Sequence, residues 1–564
     1  MGRKLLPHGE SDRVHLKYVT AGFTYILNQC RDAIYRVSTL YRVRTNIGFI
    51  QSDRAFKLFL AMILIFGIFF RFVNLDGKVY WQDEAATSLR ISGYSSREFI
   101  EEIYNSQPIT VGELRDRYQS PNSSKNLGDT LQVLMGKAEH PPLYYTIARF
   151  WAQLFGGSVT AMRSLPAFIS LLAFPAMYWL CQELFAAPLI SWIAIALLSV
   201  SPIHVLYAQE ARQYSLWIVL ILLSSAALLR AVRKKNIGSW AIYGLTFVLG
   251  CYTHLFFGLI VLGHGIYLLV AQGLRNHKIV RAYLLTSAAA LFAFSPWILV
   301  FIHYKNNSQY FDRISTALGR EISVSRLIGK WFRSANRFFH DADLGSANLI
   351  LVLFAVYSLY FVCRHTPKRI WWFIFTLFGV TALTLGLPDL INGGQRSVRT
   401  RYLIPCGIAL ELSIAYLLTV KVTQASKMWQ QRVWQGAIVL LISIGVISNS
   451  FSSQAHSWWN KNIALTKHYP KIARTINQAN HPLVISDTSE TNILSLSYLL
   501  KPDVQLQLFQ EGTLPTIPNE AIGQTRFVFD ASDALLHSLQ TEQNLPLDLV
   551  VDKSRVKLYR TDAD

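Results

Sequence analysis

The chain has 564 residues, of which 52% are apolar, 13% aromatic and 16% charged, with a mean hydropathy of +0.27. These values exclude a disordered chain, a collagen and a small disulfide scaffold, and they leave too few charges to coat a soluble globule, in which about a quarter of residues are charged. The net charge of +20 suits nucleic acid or a membrane surface; the apolar content, with no zinc knuckle and no aromatic and basic platform, selects the membrane and excludes nucleic acid.

Residues 1–54 form a basic segment with nine Lys or Arg against four Asp or Glu. It has no apolar core of signal-peptide type, and its charge places the N-terminus in the cytoplasm. Within it, 14–43 reads as a basic amphipathic helix on the inner leaflet or as a solvated tail. A helix needs roughly 20 mostly apolar residues to cross a bilayer. Eleven stretches qualify, near 55–73, 161–184, 187–206, 212–230, 238–253, 255–272, 281–302, 347–363, 370–387, 401–420 and 434–450.

Between the first two spans lies an external loop, 74–160. Its apolar stretch 143–155 is too short to cross, carries Arg149 and reads as a surface helix. The basic loops at 230–235, 275–281, 364–369 and 421–432 fall inside by parity. The loop 303–346 falls outside although it holds seven basic residues. Within it, Val324, Leu327, Ile328, Trp331, Phe332, Ala335, Phe338 and Phe339 form one helix face, opposite Arg326, Lys330, Arg333 and Arg337. That pattern predicts an interfacial helix gripping lipid phosphates; the other reading is a parity error downstream of 302. The tail 451–564 is then extracytoplasmic and reads as a soluble α/β domain. Strands are expected at 483–486 and 527–529, with a terminal hairpin over 547–551 and 556–559. Five scattered cysteines predict no disulfide. The fold class is an all-α polytopic membrane protein of about 11 transmembrane helices plus interfacial helices, with a small C-terminal soluble α/β domain.

Charges inside a bilayer are costly, so the clusters at the outer helix ends stand out. Asp83 and Glu84 follow the first span and point about 100° apart on a helix. One can face a cavity as a general base on an acceptor hydroxyl while the other pairs elsewhere; the alternative is an acidic pair favoured by a helix N-terminus. His140, in Glu139-His-Pro-Pro, suits substrate binding, metal coordination or a turn cap. In Ser201–Tyr214, Arg212 opens a helix, where backbone N–H groups favour an anion, and Tyr207 and Glu210 are its neighbours; a salt bridge between Glu210 and Arg212 is the other reading. Tyr252 and His254 sit at an outer turn, either lining the same cavity or packed in the core. Arg396, Arg399 and Arg401, with Tyr402, precede an apolar helix on the outer side, against the inside rule. They read as a site for an anionic lipid headgroup or as interfacial anchors. A metal, if any, falls to Asp83, Glu84 or His140.

Four of these features, Asp83-Glu84, His140-Pro-Pro-Leu143, Tyr207–Arg212 and Arg401–Pro405, resemble in order the GT-C type membrane glycosyltransferases. The branch is that of protein O-mannosyltransferase-like and lipid A aminoarabinose transferase-like enzymes, over residues 55–450. The resemblance implies a polyprenyl-phosphate sugar as donor and Asp83 as catalytic base with Glu84 beside it. It implies Arg212 and Arg401, with Arg399 and Arg396, as the donor phosphate site, and transfer with inversion to a glycolipid, glycan or protein acceptor. His140, Tyr207, Glu210, Tyr252, His254 and Tyr402 are then the substrate-binding set. No cofactor is identified with certainty, and a divalent metal is left open. A bacterial plasma membrane is the expected location. The competing classes are a lipid or sugar transporter or flippase, whose ionisable residues would sit at the bilayer midplane, and a non-catalytic assembly subunit of the same fold.

Overall fold

The computed structural model describes residues 54–273, 277–307, 316, 319, 321–341, 348–510, 524–553 and 556–562. The segment 14–43 read as an amphipathic helix or tail lies outside them. After α1 (Arg54–Phe72) come five short helices, α2 (Gln82–Ile91), α3 (Ser96–Ile103), α4 (Val111–Tyr118), α5 (Leu127–Met135) and α6 (Pro142–Phe155), with strand β1 (Ile109–Thr110) before α4. The bundle continues with α7 (Val159–Leu171) and α8 (Ala173–Phe185), which form one span, then α9 (Pro188–Val200) and α10 (Pro202–Ala208). Next are α11 (Tyr214–Lys234), α12 (Ile237–Thr253), α13 (Phe257–Gln272) and α14 (His277–Asn307). The amphipathic α15 (Val324–Asn336) precedes α16 (Asn348–His365), α17 (Lys368–Ile391), α18 (Ile404–Thr423) and α19 (Met428–Gln454). Among the described residues seven helices are long and apolar enough to cross a membrane unaided, and the α9–α10 pair, bent by 60°, is an eighth. Three shorter apolar helices, Leu58–Phe72, Ile237–Thr253 and Phe257–Ala271, stand at the other expected span positions. The protein is thus a polytopic, mostly helical membrane protein.

The α9–α10 break has a local cause. Pro202 has no N–H, so the carbonyl four residues back loses its helical partner, and the bend frees its neighbours. Unpaired carbonyls are not tolerated in lipid. Arg71, at the end of α1, donates from Nη1 to Ser199 O (2.7 Å) and from Nη2 to Leu198 O (3.2 Å). Asn449 on α19 donates to Val200 O (2.8 Å). Both helices approach through glycines: a Cβ on Gly67 would sit 2.7 Å from Ser199 Cβ, and one on Gly445 would sit 2.6 Å from Val200 O.

After α19 the chain crosses the end of the bundle and builds α20 (Ile463–Thr466), α21 (Tyr469–Asn477), β2 (Leu483–Ser486), α22 (Glu490–Ser497), β3 (Gln505–Leu508), β4 (Thr525–Phe529), α23 (Asp533–Thr541), β5 (Asp548–Lys553) and β6 (Val556–Asp562). The sheet order is β1-β3-β2-β4-β6-β5, with β3, β2 and β4 parallel. Its first strand comes from the loop after α1: Ile109 pairs with Leu506 and Thr110 with Gln505. Helix α22 packs on α2, where Ser495 Oγ donates to Tyr80 O (2.6 Å) and Gln82 Nε2 to Asn492 Oδ1 (3.0 Å). Helix α2 is therefore clamped between the bundle and the sheet.

Helix α15 lies at the same end. Val324, Ile328 and Phe332 are exposed, while Leu327, Phe338 and Phe339 are buried. The basic face is not wholly free: Arg337 Nη1 donates to Thr400 Oγ1 (2.9 Å), and its guanidinium lies 3.7 Å above the Trp459 ring. Of the five cysteines, Cys181, Cys251, Cys363 and Cys406 are free thiols, and Cys30 lies outside the described residues.

Candidate active site

Asp83 and Glu84 occupy the first turn of α2, where the positive end of the helix dipole favours carboxylates, and they part company there. Glu84 turns into the bundle and is fully buried. It accepts from Arg163 Nε (2.8 Å) and Nη2 (2.7 Å), from Lys461 Nζ (2.7 Å) and from the Ala211 N–H (2.9 Å). Burial acts to raise its carboxyl, but the Arg163 and Lys461 charges hold it well below the ordinary glutamate value. Every lone-pair direction is taken, so Glu84 is a structural anchor at the floor of the site, with no face toward a reacting group.

Asp83 faces the other way. Its side chain is 33% exposed, and Oδ2 accepts from Arg401 Nη1 at 2.9 Å. Arg212 Nη1 donates to the Asp83 backbone O (3.3 Å) and to Thr87 Oγ1 (3.1 Å). Burial works to raise the Asp83 carboxyl, and Arg401, Arg212 and Arg90 outweigh it, so its pKa lies below the usual value and it is a carboxylate at neutral pH. The Arg401 guanidinium is flanked by Trp81 (5.9 Å), Tyr214 (5.9 Å) and Tyr402 (5.6 Å), which holds the fork in place. Among the described residues the Nε of Arg212 is buried without a hydrogen-bond partner. Two guanidinium groups with spare donors beside one carboxylate form a site with excess positive charge.

Around this core stand neutral imidazoles. His254 stacks on Trp217 at 4.2 Å, and its Nδ1 accepts from the Phe256 N–H at 3.2 Å, which leaves Nε2 as the protonated nitrogen. Burial, then Arg212 and Arg401, push its pKa down to about 3. His140 packs on Tyr145 and lies 3.8 Å from Glu139; burial, then Arg90 and Arg212, hold it well below the usual histidine value. Tyr207 packs on Tyr214 at 4.8 Å. Glu210 is buried, accepts from Asn460 Nδ2 (2.7 Å) and lies 3.9 Å from Lys461; it does not pair with the Arg212 side chain, whose partners are Asp83 and Thr87.

Two expected members, Arg396 and Tyr252, are placed elsewhere. Arg396 is tied to Asp389 (3.2 Å), whose other oxygen accepts from Ser397 N and Oγ (2.7 Å each), so it staples the turn between α17 and α18. Arg399 is exposed. Tyr252 donates to Ala293 O (2.9 Å) and packs on Phe294, at the contact of α12 with α14. Conversely, Arg90, Trp81, Tyr214, Arg163 and Lys461 belong to the site and were not expected there. An arginine inside the span read at 161–184 was the available signal for Arg163, since a charge in a span needs a partner.

For a metal, the donor set is a poor fit. Among the described residues no three His, Cys, Asp or Glu side chains gather as ligands. Glu84 is saturated by cations and Asp83 is flanked by arginines, so the surroundings favour an anion over a divalent cation.

A family model described as dolichyl-phosphate-mannose-protein mannosyltransferase matches residues 139–300. No curated protein matches the chain. Crystal structures of ArnT from Cupriavidus metallidurans, in the apo state and bound to undecaprenyl phosphate, are similar at TM-scores of 0.53 and 0.51 with 13% and 12% identity; each alignment covers 90% of this chain and 98% of that one. Archaeal oligosaccharyltransferase AglB from Archaeoglobus fulgidus, in complex with an inhibitory peptide and a dolichol-phosphate, gives 0.46 at 12% identity, covering 79% of this chain and 64% of its own.

Proposed function

Because the chain has the GT-C fold, in its mannosyltransferase-like and ArnT-like form, we propose that it is an integral-membrane glycosyltransferase. It moves a sugar from a polyprenyl-phosphate donor to an extracytoplasmic hydroxyl of a glycolipid, glycan or protein, with inversion. The carrying observation is the 2.9 Å pair of Asp83 and Arg401, with Arg212 bonded to the Asp83 backbone. An ionised carboxylate beside two guanidinium forks at one end of the bundle supports a base next to a phosphate site.

The free oxygen of Asp83 accepts the proton of the acceptor hydroxyl as the hydroxyl oxygen attacks the anomeric carbon. The bond from that carbon to the phosphate oxygen breaks, and its electron pair stays on polyprenyl phosphate. The unused N–H groups of Arg401 and Arg212 stabilise the growing charge. An apolar cavity of about 380 Å3 between α15, α16, α17 and α18, reaching Ser397 and Leu403 beside Arg401, suits the prenyl chain. The site end then faces outward, and the basic loops at the opposite end face the cytoplasm. No step requires a metal.

Mass spectrometry of lipid-linked sugars and envelope glycans, with and without the protein, identifies donor and acceptor. With that pair, Asp83→Asn is expected to lower turnover by about 10²- to 10⁴-fold while undecaprenyl phosphate still raises the unfolding temperature. Product at the parental rate would remove Asp83 as the base. Unchanged donor affinity in both Arg212→Ala and Arg401→Ala would remove the phosphate site.

A further inference from the structure

A second, polar cavity of about 820 Å3 opens beside α2, between α3, α5 and the end of β3. Its α2 wall includes Ala86 and Arg90, three and seven residues after Asp83 and so on the same helix face. The other cations in its wall are engaged. Arg97 pairs with Glu101 (2.7 Å) and Lys125 with Glu98 (2.5 Å), and Lys137 is partly balanced by Glu139. Among the described residues Arg90 has no such pair, and its Nη1 is buried without a hydrogen-bond partner. A guanidinium that lines a polar cavity with its set of partners incomplete is one that an anionic ligand there can complete.

We propose that this cavity is the acceptor subsite and that it takes an anionic glycan, whose carboxylate or phosphate pairs with Arg90 while its nucleophilic hydroxyl reaches Asp83. The inference rests on Asp83 being the base that receives the acceptor. Seven residues of helix span about 10 Å, so the anion lies beyond the ring that carries the reacting hydroxyl, on its substituent or on the next sugar. Arg90 is close enough to act on Asp83 and on His140 electrostatically, which puts the cavity and the base in one field. The mixed wall suits a hydroxyl-rich ligand, and the surplus positive charge selects an acidic one over a neutral one.

The test uses the purified full-length chain in nanodiscs and saturation-transfer NMR with glucuronic acid, glucose 6-phosphate and glucose as probes. The two acids are expected to bind at least ten-fold tighter than glucose. Arg90→Gln should remove that preference and Arg90→Lys should restore part of it. Val133→Trp, which fills the cavity without changing charge, should block all three sugars. Undecaprenyl phosphate should still stabilise each variant and should not displace the acids. Equal binding of glucose and the acids, an unaltered preference in Arg90→Gln, or displacement by undecaprenyl phosphate together with loss of the acids in Arg401→Ala would overturn the proposal. Asp83→Asn separates this idea from the catalytic one: acid binding that survives in a variant with full turnover leaves the subsite standing and removes the base.

Discussion

Asp83 and Glu84 are neighbours in the chain with opposite surroundings, and the difference is one of partners. Glu84 meets two cations and a backbone N–H in a fully buried floor, while Asp83 is partly exposed and holds one oxygen on Arg401. The angular separation of adjacent helical residues anticipates that split, but it does not say which of the two turns inward. The low pKa of Asp83 sets an expectation for rate: turnover should not lose a base through weakly acidic pH, and a pH–rate profile falling with a midpoint near neutrality that vanishes in Asp83→Glu would contradict it. Glu210 behaves in the reverse sense. Burial pushes its pKa up to about 7 from an ordinary 4.5, so between those values the folded chain holds a proton that the unfolded chain has released. Its contribution to stability is therefore full below about pH 4.5 and is lost as pH rises toward 7. Glu210→Gln keeps the bond from Asn460 and removes the titration. Relative to the parent, the variant should gain on the order of 1–3 kcal/mol on going from pH 5 to pH 8, read by denaturation in detergent at both values.

At the scale of elements, the spans were legible because length and apolar content are local properties, and each expected span has a helix at its place. The break between α9 and α10 falls inside the stretch read as one span at 187–206. Pro202 marked the place, but the partners that make the break tolerable, Arg71 and Asn449, come from helices far away in sequence. Arg71→Met should orphan two carbonyls and Asn449→Ala one. At about 1–3 kcal/mol for each buried unsatisfied group, the first variant should unfold at a lower temperature than the second, and both below the parent. Equal unfolding temperatures for parent and Arg71→Met would show that the freed carbonyls find other donors. Helix α15 was legible from its two faces, yet its role as a wall against residues 395–400 was not, because Lys330, Trp331 and Arg337 meet Gln395, Ser397 and Thr400 only after folding.

At the scale of the molecule, the C-terminal sheet is fastened to the bundle through the site itself. Residues 456–461 cross the bundle end: His456 O accepts from the Val79 N–H (2.8 Å), Asn460 reaches Glu210 and Lys461 reaches Glu84. Trp458 and Trp459 donate to Asp341 (2.9 and 3.0 Å). Removing one partner of a buried ion cluster leaves an uncompensated charge, at about 3–5 kcal/mol. Lys461→Met should therefore lower stability by that order and expose the 74–90 region to protease, while the spans still insert. Protection of that region equal to the parent's would show that the tail does not hold α2. The tail carried no functional signature as a sequence, since the contacts that give it a part in the site join residues 377 positions apart.

Composition and periodicity alone were enough to establish a membrane solvent, the order of the spans, the amphipathic α15, the strands of the tail and the gathering of ionisable residues at helix ends, because each is written in consecutive residues. Which charges meet was decided by tertiary structure: Arg401 with Asp83 across 318 positions, Lys461 with Glu84, and Arg396 with Asp389 away from the site. Ion pairing depends on distance and desolvation, and in a folded helical bundle both are set by which helix ends pack together, a relation that no single stretch of chain contains.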